Sequence, residues 1–223
     1  MVKDKLFVVI GLGSFGTAVA TQLAKNKCRV TGMDQDRDRV DQLKGILWEG
    51  VVADATQKEA LEVLPLKTAE SVIISMGENI TLSILATFHV MELGAHRVIV
   101  KGVTDEHGQS LKKLDVHRVV FPEKEIAEQL ADKETWPNVI DNLALGPGGY
   151  AFVEVAVPDN FAGKTLRDID LRRRFGLTVV GVRKSLDGGD VEVNPSADFL
   201  LMPDHVLLMI GKKDEIERFR ERD

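Results

Sequence analysis

The chain has 223 residues, 44% of them hydrophobic, enough to pack one large domain or two small ones. A formal net charge of −6 and a pI near 5.5 exclude the basic stripe that sequence-independent nucleic-acid binding requires, so no nucleic-acid partner is expected. A single cysteine, Cys28, rules out an intramolecular disulfide and a cysteine-based zinc cluster; it suits a reducing cytoplasm and reads as a small core residue.

The opening residues, MVKDKLFVVIG, carry charge and pass straight into a strand, unlike a signal peptide, and no apolar run reaches the ~18 residues of a membrane span. Strands are predicted at 6–11, 29–34, 49–54, 71–75, 97–102 and 118–122, with helices between them at 14–26, 36–45, 56–64, 79–93 and 105–114. Thr56 with Glu59 has the spacing of a capping box for the third helix. Continuous apolar strands joined by helices imply a parallel sheet covered on both faces, the doubly wound Rossmann-like pattern of an α/β domain.

A charged helix follows at 123–134, then the breakers Trp136-Pro137 and the run GPGGY at 146–150. Beyond them come strands at 150–157, 177–184, 190–194 and 205–211, a helix near 164–174, a turn at 187–189 and a closing helix from Asp214. The expected organisation is a nucleotide-binding domain over 1–135, a linker over 136–149 and a smaller α+β domain over 150–223.

The run VVIGLGSFGTAVA places Gly11, Gly13 and Gly16 between the first strand and a helix, and Asp34 ends the second strand eighteen residues after the last glycine. In that context Gly11 permits a tight turn, Gly13 lets backbone approach a diphosphate and Gly16 lets helix and strand pack closely. Backbone N–H groups at the helix start hold phosphate oxygens, and Asp34 accepts from ribose hydroxyls. A carboxylate there disfavours a 2′-phosphate; Arg37 and Arg39 weaken that exclusion but are expected on the solvent face of the next helix. The signal indicates an adenine nucleotide without separating NAD from ADP or ATP.

Chemistry is harder to find. Five histidines show no metal-ligand spacing, and His205, after MPD, reads as a turn residue. Strand C-termini of a parallel sheet share one rim, so Asp54, Ser75 to Asn79, Lys101 and Glu123 face the same crevice. There Glu123 suits either a divalent cation or the positive end of its own helix.

Taken in order, FVVIGLGSFGTAVA, VTGMDQDRDRV, VVADAT, SVIISMGENITLSILAT, VIVKG, HRVVFPEKEIAEQLA and FAGKTLRDIDLRRRFGLTVVGVRK resemble the KtrA- and TrkA-type regulators of bacterial potassium uptake, built of RCK (TrkA-N and TrkA-C) domains. The resemblance implies a non-enzymatic cytoplasmic subunit that binds NAD(H), ATP or ADP and assembles as a dimer-based ring, commonly an octamer. Such a ring docks beneath a membrane potassium transporter subunit of the KtrB or TrkH type. It further implies Ser14 and Phe15 by the phosphates, and Asp34, Gln35 and Asp36 by the ribose. Asp54 and Ala55 come by the adenine, Met76, Gly77 and Glu78 on the rim, and Lys101, Gly102, Val103 and His107 on the far side. Glu123 approaches a divalent cation near a neighbouring subunit's phosphates. Such relatives usually carry arginine where this chain has Ser14. The rival reading is an NAD-dependent oxidoreductase with a small cap domain.

Overall fold

Short runs rich in branched and apolar residues form β1 (Leu6–Ile10), β2 (Arg29–Asp34), β3 (Glu49–Val52), β4 (Ser71–Ile74), β5 (Val98–Lys101) and β6 (Arg118–Val120). The computed structural model describes residues 5–77, 79–135, 139–145, 149–186 and 188–220. All six strands pair in parallel in the order β3-β2-β1-β4-β5-β6, as the doubly wound reading requires.

Both faces of this sheet are covered, because successive side chains of a strand point to opposite sides. Val8 and Ile10 join Met33, Val72, Ile74, Val98 and Val100 in one core, beneath Leu61 of α3 (Lys58–Leu61), Ala86 and Val90 of α4 (Ile80–Glu92) and Leu111 of α5 (Asp105–Lys113). Val9 turns the other way, with Val30 and Ile73, against Ala20 of α1 (Ser14–Lys25) and Val40 of α2 (Arg37–Gln42). Side-chain caps start three of these helices: Asp36 accepts from Asp38 N–H, Asn79 from Leu82 N–H and Thr104 from His107 N–H.

Helix α3 is shorter than its sequence pattern. Thr56 does not cap it, because its N–H and hydroxyl both donate to Asp54 Oδ1, at 2.9 and 2.8 Å, closing a local turn. Gln57 takes the cap position with no side-chain bond. Cys28 is half-buried in the turn before β2 and so lies outside the core; its neighbour Lys27 has φ 64°.

The chain divides after Pro122 into two compact units. The second contains α6 (Pro122–Thr135), β7 (Val139–Leu145), β8 (Tyr150–Ala156), α7 (Leu166–Ile169), α8 (Leu171–Phe175), β9 (Thr178–Arg183), β10 (Val191–Val193), β11 (Val206–Lys212) and α9 (Lys213–Arg220). Its sheet is antiparallel in the order β10-β9-β11-β8-β7. A strand thus lies inside the stretch expected to be linker. The breakers at its two ends make that stretch read as a linker, yet its backbone pairs with β8 through an irregularity between Val139 and Asp141. The breakers at 136–137 and 146–148 and Asp187 of the expected turn lie outside the described residues.

The helix expected near 164–174 is two short helices, because Asp170 takes a left-handed conformation between α7 and α8. Thr165 and Asp168 close a capping box on α7. In β8 the alternate residues Ala151, Val153 and Val155 are buried and meet Leu207 and Met209 of β11. Phe219 of α9, 1% exposed, stacks edge-on against Phe175 at 5.2 Å and contacts Phe161 at 6.1 Å. Removing that ring leaves a void that its neighbours fill only in part. Phe219→Ala is expected to destabilise the second unit by ~3–5 kcal/mol; calorimetry should show its transition falling while that of the first unit stays in place.

Candidate functional site

The chain leaves β1 toward β2 on one side of the sheet and later returns to β4 on the other, so strand order reverses between β1 and β4. At such a point the loops after neighbouring strands part and leave a crevice at the strand C-termini. The loop after β1 is pinned there by backbone bonds on both sides. Gly11 N–H donates to Met33 O at 2.8 Å, and Ser75 N–H donates to Ile10 O at 2.7 Å.

Each glycine of the loop answers a different constraint. Gly11 has φ +88°, and a Cβ there would lie 2.0 Å from the Ser75 carbonyl oxygen. At Gly16 a Cβ would lie 1.9 Å from the Gly11 oxygen, so α1 sits directly on the loop. Gly13 is different: its φ of −67° suits any residue, and the nearest atom to an added Cβ is an Arg39 guanidinium nitrogen at 4.0 Å. Among the described residues outside its own chain neighbours, none crowds a side chain at 13. The space it leaves lies at the uncapped start of α1, where N–H groups and the helix dipole favour an anion, so the loop fits a diphosphate.

Asp34, 7% exposed, braces this loop from the end of β2. Its Oδ2 accepts from Leu12 N–H at 2.7 Å and its Oδ1 from Asp36 N–H at 2.9 Å. Arg39 folds back over the same carboxylate, Nη1 to Oδ2 at 3.5 Å, and reaches Asp36 Oδ2 from Nε at 3.6 Å. Its side chain is about half exposed, as the solvent-face expectation required, and it also pairs with the Asp34 and Asp36 carboxylates. The sequence signal for it was its position in the first turns of the helix that follows Asp34.

Around the rim, Ser14, Gln35, Asp36, Asp54 and Gly77 are exposed, and Phe15 and Met76 are half-buried. Ala55 is 5% exposed and belongs to the core, so its methyl group is not available to a ligand. Lys101 Nζ stands 6.0 Å above the Phe15 ring, which brings the end of β5 to the start of α1. Gly102 is glycine for a steric reason, since a Cβ would meet the Phe121 ring at 2.3 Å. Val103 is exposed, and its N–H donates to Nδ1 of buried His107 at 3.3 Å. That bond places the imidazole proton on Nε2, which is buried without a hydrogen-bond partner among the described residues. Burial holds the His107 pKa below the ordinary histidine value. Glu78 lies outside the described residues.

Glu123 and Glu125 stand in the first turn of α6, where the helix dipole favours carboxylates. Among the described residues no three His, Cys, Asp or Glu side chains converge as a metal site requires. His205 is buried, and its Nδ1 accepts from Met202 N–H at 3.2 Å, a turn role. No helix among the described residues is long and apolar enough to cross a membrane.

The TrkA-N domain model matches residues 7–122, and the TrkA-C domain model matches residues 151–222. The chain belongs to the KtrA- and TrkA-type regulators of potassium uptake. It is 35% identical to Ktr system potassium uptake protein C of Bacillus subtilis over 98% of this chain and 97% of that one. Ktr system potassium uptake protein A of Vibrio alginolyticus is 30% identical over 96% and 95%. Among solved structures, the GsuK RCK domain superposes with a TM-score of 0.65 at 18% identity, covering 98% of this chain and 47% of that one. The GsuK channel bound to NAD gives 0.62 at 18% identity, over 96% and 38%. At such identity these two likenesses are of fold, the RCK fold.

Two outcomes test the geometry of this regulator's site. Gly16→Ala is expected to lower the melting temperature of the first unit, since two backbones must separate, whereas Gly13→Ala leaves it unchanged; thermal denaturation reads both. His107 has a folded pKa below its unfolded value of ~6.5, so the unfolded chain binds the extra proton first and stability falls as pH drops below that value. Urea denaturation at about pH 7 and about pH 5.5 should show this loss, and His107→Asn, which keeps an acceptor for Val103 N–H, should reduce it.

Proposed function

We propose that this chain is the cytoplasmic nucleotide-binding gating subunit of a potassium uptake system. The observation that carries the reading is the open position at Gly13, where an added Cβ would come no closer than 4.0 Å to the Arg39 guanidinium, at the uncapped start of α1, in a chain whose Ktr relatives match along nearly its whole length. The ligand is an adenine nucleotide, NAD(H), ATP or ADP. The GsuK channel, a fold neighbour, has been solved with NAD and with ADP.

In this reading the phosphates lie on Gly13, Ser14 and Phe15 at the start of α1. The ribose meets Asp34, Gln35 and Asp36, and the adenine lies by Asp54 and the Ala55 backbone. Met76, Gly77 and Glu78 form the near rim, and Lys101, Gly102, Val103 and His107 close the far side. Glu123 completes a divalent-cation site against the phosphates of a neighbouring subunit. The exposed apolar pair Ile126 and Leu130, one turn apart on charged α6, supports dimerisation through that helix.

Subunits so paired form a ring, an octamer, on the inner face of the membrane beneath a KtrB- or TrkH-type transporter subunit. The chain performs no reaction. Ligand exchange selects between two ring shapes, and the free energy available to gate potassium flux is the difference in nucleotide affinity between them. Two-state switching needs a ligand that contacts both domains of the equilibrium unequally, and the crevice between the β1 and β4 loops lets two separate strand ends respond to one molecule.

The test is potassium flux into proteoliposomes carrying the transporter subunit and this chain. Flux should change when ADP, ATP or NAD is added, and the response should vanish with Gly13→Ala. Equal flux with and without each nucleotide would refute the reading.

A further inference from the structure

The carboxylates beside the glycine loop pose an electrostatic problem for the ligand proposed above. Asp34 and Asp36 stand at the end of β2, and Asp34 is tied to the loop through Leu12 N–H at 2.7 Å. A diphosphate placed on Gly13 brings further negative charge next to both. Two like charges a few ångströms apart, partly shielded from water, repel unless a cation stands between them.

Arg39 stands there. Beyond the chain neighbours of Gly13, its Nη1 is the nearest atom to a Cβ placed there, at 4.0 Å. The same guanidinium touches Asp34 at 3.5 Å and Asp36 at 3.6 Å, both long for charge-assisted bonds. Nη2 has no protein partner among the described residues, and the side chain is about half exposed, so the group turns without disturbing the core. A guanidinium carries five N–H donors in a planar fork that matches phosphate oxygens.

Arg39 also occupies the carboxylate that a ribose would use. Oδ2 of Asp34 accepts from Leu12 N–H and Arg39 together, and Oδ1 accepts from Asp36 N–H. With the side chain only 5% exposed, the carboxylate offers little to a hydroxyl while Arg39 covers it. Turning the guanidinium from Asp34 toward Gly13 uncovers one oxygen and delivers one cation, in a single rotation of one side chain.

We infer that Arg39 is a specificity-determining residue of the nucleotide site: it takes the phosphate nearest Gly13 and, in doing so, releases Asp34 to the ribose. The inference rests on the nucleotide reading above and adds to it the group that makes phosphate a requirement. An unphosphorylated nucleoside gains nothing from Arg39 and must compete with it for Asp34. A nucleoside phosphate removes the competitor by binding it.

Calorimetric titration of the full chain with adenosine, AMP and ADP tests this, comparing the native protein with Arg39→Gln and Arg39→Lys. Arg39→Gln is expected to weaken AMP and ADP by ~10- to 100-fold, the loss of charge-assisted bonds to one phosphate, while adenosine binds as well as before or better. Arg39→Lys should recover part of the loss, because it restores the charge without the fork. Added salt should weaken ADP binding to the native protein more than to Arg39→Gln. Equal losses for adenosine and ADP would show that Arg39 only holds Asp34 in place, and no change for any ligand would show that it touches neither; each result overturns the inference. If the native chain binds none of the three, the nucleotide reading itself fails, a result distinct from native binding that ignores Arg39.

Discussion

The hydrogen bond from Leu12 N–H to the Asp34 carboxylate, at 2.7 Å, is the constraint on which the site depends. It joins the loop after β1 to the end of β2, beside the point between β1 and β4 where strand order reverses. With Gly11 N–H bonded to Met33 O on the same side, the loop is held to β2 by both backbone and side chain. The start of α1 is thereby set in direction, because Gly16 presses the helix against the Gly11 carbonyl. A longer connection would let the helix N-terminus drift, and an anion site made of N–H groups works only when those groups converge. The carboxylate braces the loop, and the Arg39 guanidinium pairs with it from α2.

The two units solve the burial problem differently, which suits different tasks. The first buries both faces of the central strands of a parallel sheet against helices, so β1 and β4 are almost wholly apolar. The second is an antiparallel sheet whose strand β8 alternates buried and half-buried residues, with the aromatic cluster of Phe161, Phe175 and Phe219 under one face. Its histidine, His205, is committed to the turn at Met202, and its architecture provides packing surfaces.

Local rules made much of this visible in the residues. Period and composition located the six parallel strands, since fully buried strands need continuous apolar runs and nothing else in the first unit supplies them. Where local bonding competes with a helix, the pattern misled. Thr56 has the spacing of a cap, but the Asp54 carboxylate two residues earlier captures its hydroxyl. Asp170 sits in an unbroken helical pattern, and its left-handed backbone divides it. The stretch that forms β7 lies between two clusters of breakers and so looks like a linker, because pairing with β8 is a long-range event that no local window contains. In the site, the glycines and Asp34 were legible because they belong to one contiguous strand-turn-helix-strand unit. Arg39 was not, since its direction depends on which way α2 leaves Asp34.

By itself, the sequence determined that this chain builds a nucleotide-type α/β unit followed by a smaller α+β unit, because backbone periodicity and the glycine spacing are local properties. Its family was legible in the same way, from the order of the motifs along the chain. Only the tertiary structure decided why each glycine is there: Gly11 and Gly16 for close backbones, Gly102 for Phe121, and Gly13 for none of these. It alone placed Arg39 between Asp34, Asp36 and the space above Gly13. Steric need and electrostatic company arise between segments distant in the chain, and they come into being only when the sheet brings those segments to one edge.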